Sequence, residues 1–223
     1  MSAQAVPPKT RPPVAAVLFD LDGTLVDSHA LIITAFRHAG RVVLDRDLSD
    51  REARLRWGEP LPLRFAALAP DRVAALVDTY TAFYAAHQRR LAAAFPGVRA
   101  MLEALVRLGC RLGVVTSKRR GPTAGALDAF DLTPFITTAV TAEDTPPKPA
   151  PDPIREALRR LGAREAQALM VGDSILDLQA ARAAGVHSAA ALWGAEDPDA
   201  LLAWGPDYVV RSPDEVVALA ASG

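Results

Sequence analysis

The chain has 223 residues, 50% of them hydrophobic, with 25 Lys and Arg against 26 Asp and Glu for a formal net charge of −1. That balance gives no electrostatic reason to expect nucleic acid or a membrane as partner, and no apolar run reaches the roughly 20 residues of a spanning helix. The lone Cys110 excludes an intramolecular disulfide and fits a cytoplasmic protein, while the length fits one large domain or a domain with an insertion.

The first residues, MSAQAVPPKTRPP, lack the apolar stretch of a secretory signal and read as a disordered, proline-rich leader over 1–12. Pro13 to Phe19 is a short apolar run ending in Asp20, the pattern of a parallel strand buried on both faces. Residues 28–95 differ: no convincing strand is present, and Ala, Leu and Arg recur at helical spacing, above all from Arg72 to Leu91. Asp47-Leu48-Ser49-Asp50 offers capping residues for a shorter helix, and Pro60 and Pro70 separate the helical stretches. From residue 97 strand and helix patterns alternate. Strands are expected at 111–116, 135–140, 168–171 and 188–192, and helices at 98–108, 120–129, 153–162, 175–184, 198–204 and 213–220. The fold class is therefore α/β, a doubly wound parallel sheet. A core of 13–27 and 96–223 carries an inserted helical cap of 28–95, joined through linkers near residues 27 and 96.

The residues with chemical potential cluster at strand ends, where open α/β sheets place their ligands. Asp20-Leu21-Asp22-Gly23-Thr24 puts two carboxylates beside a glycine turn, and such a pair repels itself unless a proton or a hard cation such as Mg²⁺ intervenes. Thr116-Ser117-Lys118 offers a hydroxyl to a phosphate oxygen, or closes a strand with Ser117 capping the next helix. Only three of the 25 basic residues are lysines (Lys9, Lys118, Lys148), so a loop lysine carries information here. Lys148 lies among five prolines between Pro146 and Pro153, which read as an extended loop with Asp152 as N-cap of the next helix. A compact ammonium held there suits a point charge among several oxygens. Gly172-Asp173-Ser174-Ile175-Leu176-Asp177 repeats the arrangement of strand, glycine, acid and helix, with Asp177 one turn beyond Asp173.

Taken in order, these four segments resemble the motifs of the haloacid dehalogenase superfamily of aspartate-nucleophile phosphohydrolases over roughly residues 14–220. Ser117 and Ser174 stand where relatives often carry Asn, a residue this chain lacks altogether. The resemblance implies that Asp20 is the nucleophile, Asp22 the general acid and then base, and Thr116 and Lys148 the phosphoryl-binding groups. It implies Mg²⁺ as cofactor, held by Asp20, the Asp22 main-chain carbonyl and Asp173, with Thr24 and Asp177 steadying them from behind. Gly23, Ser117, Lys118 and Arg56 are the expected substrate contacts. Within the superfamily the likeness is to the phosphoglycolate phosphatase branch, and there to bacterial PpaX-type pyrophosphatases, through Phe83 to Val98, Gly113 to Arg120 and the loop at Gly58-Glu59-Pro60-Leu61. The implied partner is a small phosphorylated molecule, first of all inorganic pyrophosphate, with 2-phosphoglycolate or the substrate of a β-phosphoglucomutase-type phosphomutase as alternatives. A monomer or weak homodimer is expected.

Overall fold

The computed structural model describes residues 14–222; the leader expected over 1–12 lies outside the described residues. The elements, in chain order, begin with β1 (Ala16–Phe19) and β2 (Val26–Asp27). There follow helices α1 (His29–Leu44), α2 (Asp50–Ala53), α3 (Leu61–Leu68) and α4 (Val73–Leu91), then β3 (Ala93–Ala94) and α5 (Val98–Arg107). The remainder alternates: β4 (Arg111–Val115), α6 (Arg120–Ala129), β5 (Thr138–Val140), α7 (Asp152–Leu161), β6 (Ala168–Gly172) and α8 (Ile175–Ala184). It closes with β7 (His187–Ala191), α9 (Pro198–Ala203), β8 (Tyr208–Val210) and α10 (Pro213–Ala221).

Six strands form one parallel sheet in the order β5-β4-β1-β6-β7-β8. Strand β1 lies inside it, with Phe19 in register with Val114 on one side and Val171 on the other. Its alternating side chains feed the two faces, as period-2 geometry requires. Val17 and Phe19 join the cluster built with α5 and α10, and Ala16 and Leu18 join the one built with α7 and α8. The covering helices earn their places by spacing: Val98, Met101, Leu102 and Leu105 on α5, and Ile154, Ala157, Leu158 and Leu161 on α7, each form a single buried stripe.

Helices α1–α4 bury a separate apolar cluster of their own. Leu31, Ile32, Ala35 and Phe36 of α1 meet Leu76, Val77, Tyr80 and Tyr84 of α4, and Phe36 stacks on Phe65 with centroids 4.2 Å apart. The two crossings into this unit are not simple linkers: β2 and β3 pair antiparallel, Val26 with Ala94 and Asp27 with Ala93. Ser49 caps α2 through a reciprocal box with Glu52, as its position suggested.

Several boundaries move. The strand expected at 135–140 begins only at Thr138, because Pro134 starts a helical turn at Thr133–Phe135. Strand β8 at Tyr208–Val210 was not expected at all, although Tyr-Val-Val is a β-favouring trio. Around Lys148 the prolines form turns rather than an extended run, with Ala150 N–H donating to Pro147 O at 3.1 Å. The N-cap of α7 is Pro151, one residue before the expected Asp152.

Leu18 is fully buried between the sheet and α7, whereas Val42 on α1 is 60% exposed. Leu18→Ala is expected to cost about 2–5 kcal/mol in urea unfolding, and Val42→Ala less than about 0.5 kcal/mol.

Candidate active site

The tips of β1, β4 and β6 and the loop before α7 converge on one set of charges. Asp20 follows β1; its Oδ1 accepts from Leu21 N–H at 2.7 Å and its Oδ2 pairs with Lys148 Nζ at 3.1 Å. Lys148 is 3% exposed and spends its three N–H groups on Asp20, on Asp177 Oδ1 at 2.6 Å and on Val115 O at 3.0 Å. Burial opposes its charge, but Asp177 and Asp20 outweigh that and raise its pKa. Asp177 is wholly buried in the first turn of α8, where its Oδ2 accepts from Ser174 N–H at 3.0 Å and Ser174 Oγ at 2.6 Å. Ser174, not Asp173, is thus the N-cap, which leaves Asp173 free for other work.

Asp173 turns toward the loop after β1, where the buried Thr24 Oγ1 donates to its Oδ1 at 2.6 Å. Gly23 makes this approach possible. Its φ is +86°, and a Cβ there would overlap Asp173 Oδ2 and crowd His29 Nε2. The turn is braced from the loop after β7. Trp193 Nε1–H donates to Thr24 O at 3.0 Å, and a Cβ on Gly194 would overlap the Gly23 carbonyl.

Oxygen atoms of Asp20, Asp173 and Asp177 lie within 4.8 Å of one another. Three carboxylates against the single Lys148 ammonium leave an excess of two negative charges, which a divalent cation with hard oxygen ligands would balance. Asp177 is wholly buried and spends its oxygens on Lys148 and Ser174, whereas Asp20 and Asp173 both line the cavity between the strand tips and α1–α4, so these two are the carboxylates with access to such an ion. The pKa shifts report the same crowding. Burial, with Asp177 and Asp22 nearby, raises Asp20 to about 7 against the partial offset of Lys148. Burial and Asp20 raise Asp173 well above the carboxylate range.

Asp22 belongs to a second, separate group. Its carboxylate has turned into the loop, where Oδ1 accepts from Ser28 Oγ at 2.6 Å and Oδ2 pairs with Lys118 Nζ at 2.7 Å. Burial alone would raise its pKa, but Lys118 and Ser28 hold it below the usual carboxylate range.

A cavity of about 480 Å³ separates these strand tips from α1–α4. Its floor carries Asp20, Asp22, Thr116, Ser117, Lys118 and Asp173, and its opposite wall is largely apolar and aromatic, including Ile32, Trp57, Leu61 and Tyr84. Thr116 Oγ1 accepts from Lys118 N–H at 3.2 Å, and the buried Ser117 hydroxyl has no hydrogen-bond partner in the protein. Ser117 is not a helix cap, since Arg119 occupies that position for α6.

The expected anion contact at Arg56 is not found. Its guanidinium is held by Glu59 at 2.7 Å, and it lies outside the cavity lining. Among the described residues two arginines do line the cavity, the exposed Arg119 and the buried Arg64, which the sequence pattern concealed within an apolar helix. Arg64 is 5% exposed, donates to Ala53 O at 2.7 Å and Leu55 O at 3.1 Å, and lies over the Phe36 and Trp57 rings. Tyr84 and His29 were likewise not singled out; His29 Nδ1 is 3.2 Å from Glu196, and its Nε2 is 3.9 Å from Asp173 Oδ2.

A doubly wound sheet whose strand tips gather an aspartate pair, hydroxyls, a buried lysine and a second acid pair defines a phosphoryl-transfer class of enzyme, and residues 17–191 match the haloacid dehalogenase-like hydrolase family. The chain belongs to that family. It is 36% identical over 199 residues to a candidate pyrophosphatase PpaX of Caldanaerobacter subterraneus subsp. tengcongensis, covering 89% of this chain and 90% of the relative. It is 34% identical to the pyrophosphatase PpaX of Halalkalibacterium halodurans, covering 90% of this chain and 94% of the relative. The crystal structure of a candidate phosphoglycolate phosphatase of Lactobacillus plantarum superposes with a TM-score of 0.82 at 26% identity, over 93% of this chain and 100% of that one. Among the described residues no helix is long and apolar enough to cross a membrane.

The raised acids give a pH dependence with a definite sign. Between the ordinary 3.8 and about 7, folded Asp20 keeps a proton that the unfolded chain has released. Stability of the metal-free protein should therefore fall as pH rises through that window, with Asp173 acting in the same direction. Melting temperatures measured across the window in chelator are expected to decline for the native chain and to decline less for Asp20→Asn. Equal slopes would contradict the shift at Asp20.

Proposed function

We propose that this chain is a Mg²⁺-dependent phosphohydrolase that works through an aspartyl-phosphate on Asp20, with inorganic pyrophosphate as substrate and 2-phosphoglycolate as the alternative. The observation that carries the reading is Asp20 on the cavity floor, ion-paired with a buried lysine and facing a second acid that has its own cation. A carboxylate approaches a phosphate dianion only where positive charge offsets the repulsion, and phosphoryl transfer depends mainly on positioning and charge neutralisation. Lys148 fixes Asp20 and damps its charge. Thr116 and Ser117 are the residues we assign to the phosphoryl oxygens, and the partnerless Ser117 hydroxyl supports this. The contact expected at Gly23 is ruled out, because its N–H donates to Val26 O at 2.8 Å and it lies outside the cavity lining. Mg²⁺, held by Asp20, Asp173 and the Asp22 main-chain carbonyl, would supply charge neutralisation at the phosphoryl group. Thr24 orients Asp173, and Asp177 orients Lys148.

In the first half-reaction an Asp20 oxygen bonds to phosphorus as the bond to the leaving group breaks, and the Asp22 carboxyl gives that group a proton. In the second, Asp22 takes a proton from the water that displaces Asp20. We read residues 28–95 as a cap over a core of 13–27 and 96–223, with its apolar wall shielding the charged floor from bulk solvent while the attacking water is admitted. Pyrophosphate is preferred because the relatives that match along most of their length carry that activity in their names.

The test compares kcat/KM for pyrophosphate and 2-phosphoglycolate with Mg²⁺, and then Asp20→Asn. The substitution is expected to reduce turnover at least about a thousand-fold while leaving the melt cooperative. Acid quenching should trap phosphate on the peptide containing Asp20. Turnover near the native rate would remove Asp20 as nucleophile, and a preference for 2-phosphoglycolate would replace pyrophosphate as substrate.

A further inference from the structure

The carboxylate of Asp22 is held by more than the loop that carries it. Three elements distant in sequence meet at its oxygens: the turn after β1, the tip of β4 and the middle of α4. Tyr84 of α4 donates its hydroxyl to Asp22 Oδ1 at 3.3 Å and accepts from Lys118 Nζ at 2.9 Å. Lys118 Nζ also donates to Asp22 Oδ1 at 2.8 Å and lies 4.1 Å from the centre of the Tyr84 ring. The donors and acceptors balance: the phenol has one proton, given to the carboxylate, and one filled acceptor site, facing the ammonium. Burial raises the phenol pKa well above its ordinary value, so the donor role persists. Lys118 is anchored at its base as well, its N–H bonded to Thr116 Oγ1 and its carbonyl accepting from Ala142 N–H at 3.1 Å. Its side chain is 10% exposed, and its ammonium is engaged within the protein rather than displayed to ligand.

We propose that Tyr84 and Lys118 are positioning residues for proton transfer, holding the Asp22 carboxyl against the leaving-group oxygen. The proposal rests on the reading of Asp22 as general acid and assigns Lys118 a role other than the substrate contact expected from sequence. Tyr84 comes from the helical unit, so the proton donor is complete only when α4 lies over the strand tips. Ser28 alone would leave the carboxyl free to rotate about its χ angles, and misplacement by about 1 Å costs as much as a hundred-fold in rate.

The test uses leaving-group dependence, which a purely structural role would not alter. Benzyl phosphate and p-nitrophenyl phosphate have bodies of similar size, so their contacts with the cavity wall nearly cancel. Benzyl alcohol leaves poorly without a proton, whereas p-nitrophenolate leaves without one. In the full-length protein with Mg²⁺, Tyr84→Phe is expected to lower kcat/KM for benzyl phosphate about ten-fold and for p-nitrophenyl phosphate less than about three-fold. Lys118→Met should show the same asymmetry, and Tyr80→Phe, one ring away in the same stack, should show none. Asp22→Asn supplies the reference. If it shows no asymmetry, the general-acid reading itself fails. If Asp22→Asn is asymmetric while Tyr84→Phe and Lys118→Met lower both substrates equally or neither, the positioning role is overturned.

Discussion

One buried ammonium organises the floor of this molecule. Lys148 has exchanged water for two carboxylates and a main-chain carbonyl, contributed by Asp20 after β1, Asp177 in the first turn of α8 and Val115 at the end of β4. Removing water from a charge is tolerable only when the replacement is this complete. The result ties the loop before α7 to β1, β4 and α8, and it makes the position of Asp20 a property of the whole sheet. Asp177 serves twice, as counter-ion to Lys148 and as partner of the Ser174 cap, so the start of α8 and the charge of the site are set by one side chain.

The second pair, Asp22 with Lys118, has a different character. Lys148 is locked among groups of the α/β layers, whereas Lys118 meets a tyrosine from the helical unit above. Two acids two residues apart thus acquire separate cations and opposite pKa shifts, Asp20 upward and Asp22 downward. In the metal-free protein these shifts run opposite to the roles proposed for the two acids, since a nucleophile works ionised and a general acid protonated. A cation beside Asp20 would lower its pKa, and a phosphate dianion beside Asp22 would raise that one. The cavity between the helical wall and the floor adds an apolar roof, which strengthens every electrostatic interaction beneath it.

Much of this was legible in the sequence because the core elements have strong periods. The stripe on α7 and the run before Asp20 can each be read from spacing alone, and α8 was located to the residue. The motif residues were legible for another reason: glycine, acid and hydroxyl gather at ends of strands, where local pattern and function coincide. What escaped depended on contacts between distant segments. Arg64 reads as one charge in an apolar helix, and only the fold shows the carbonyls of Ala53 and Leu55 waiting for it. Tyr84 fits the helical stripe so well that its hydroxyl attracted no attention. Arg56 looked like an anion contact because its partner Glu59, three residues on, could not be shown to reach it from sequence. Strand β8 is three residues long, too short to establish a period.

The place of β1 in the sheet has a consequence for how the chain is made. It is the first of the described strands in the chain, yet its two neighbours are β4 and β6, which begin at Arg111 and Ala168. Until both have been synthesised, an apolar strand with hydrogen-bonding groups on both edges has no lasting partner within its own chain. The helical unit, by contrast, closes its cluster from residues 31 to 84 and can condense early. The order of translation therefore differs from the order of pairing around β1. A nascent chain that ends before residue 168 leaves open the edge of β1 that β6 later covers.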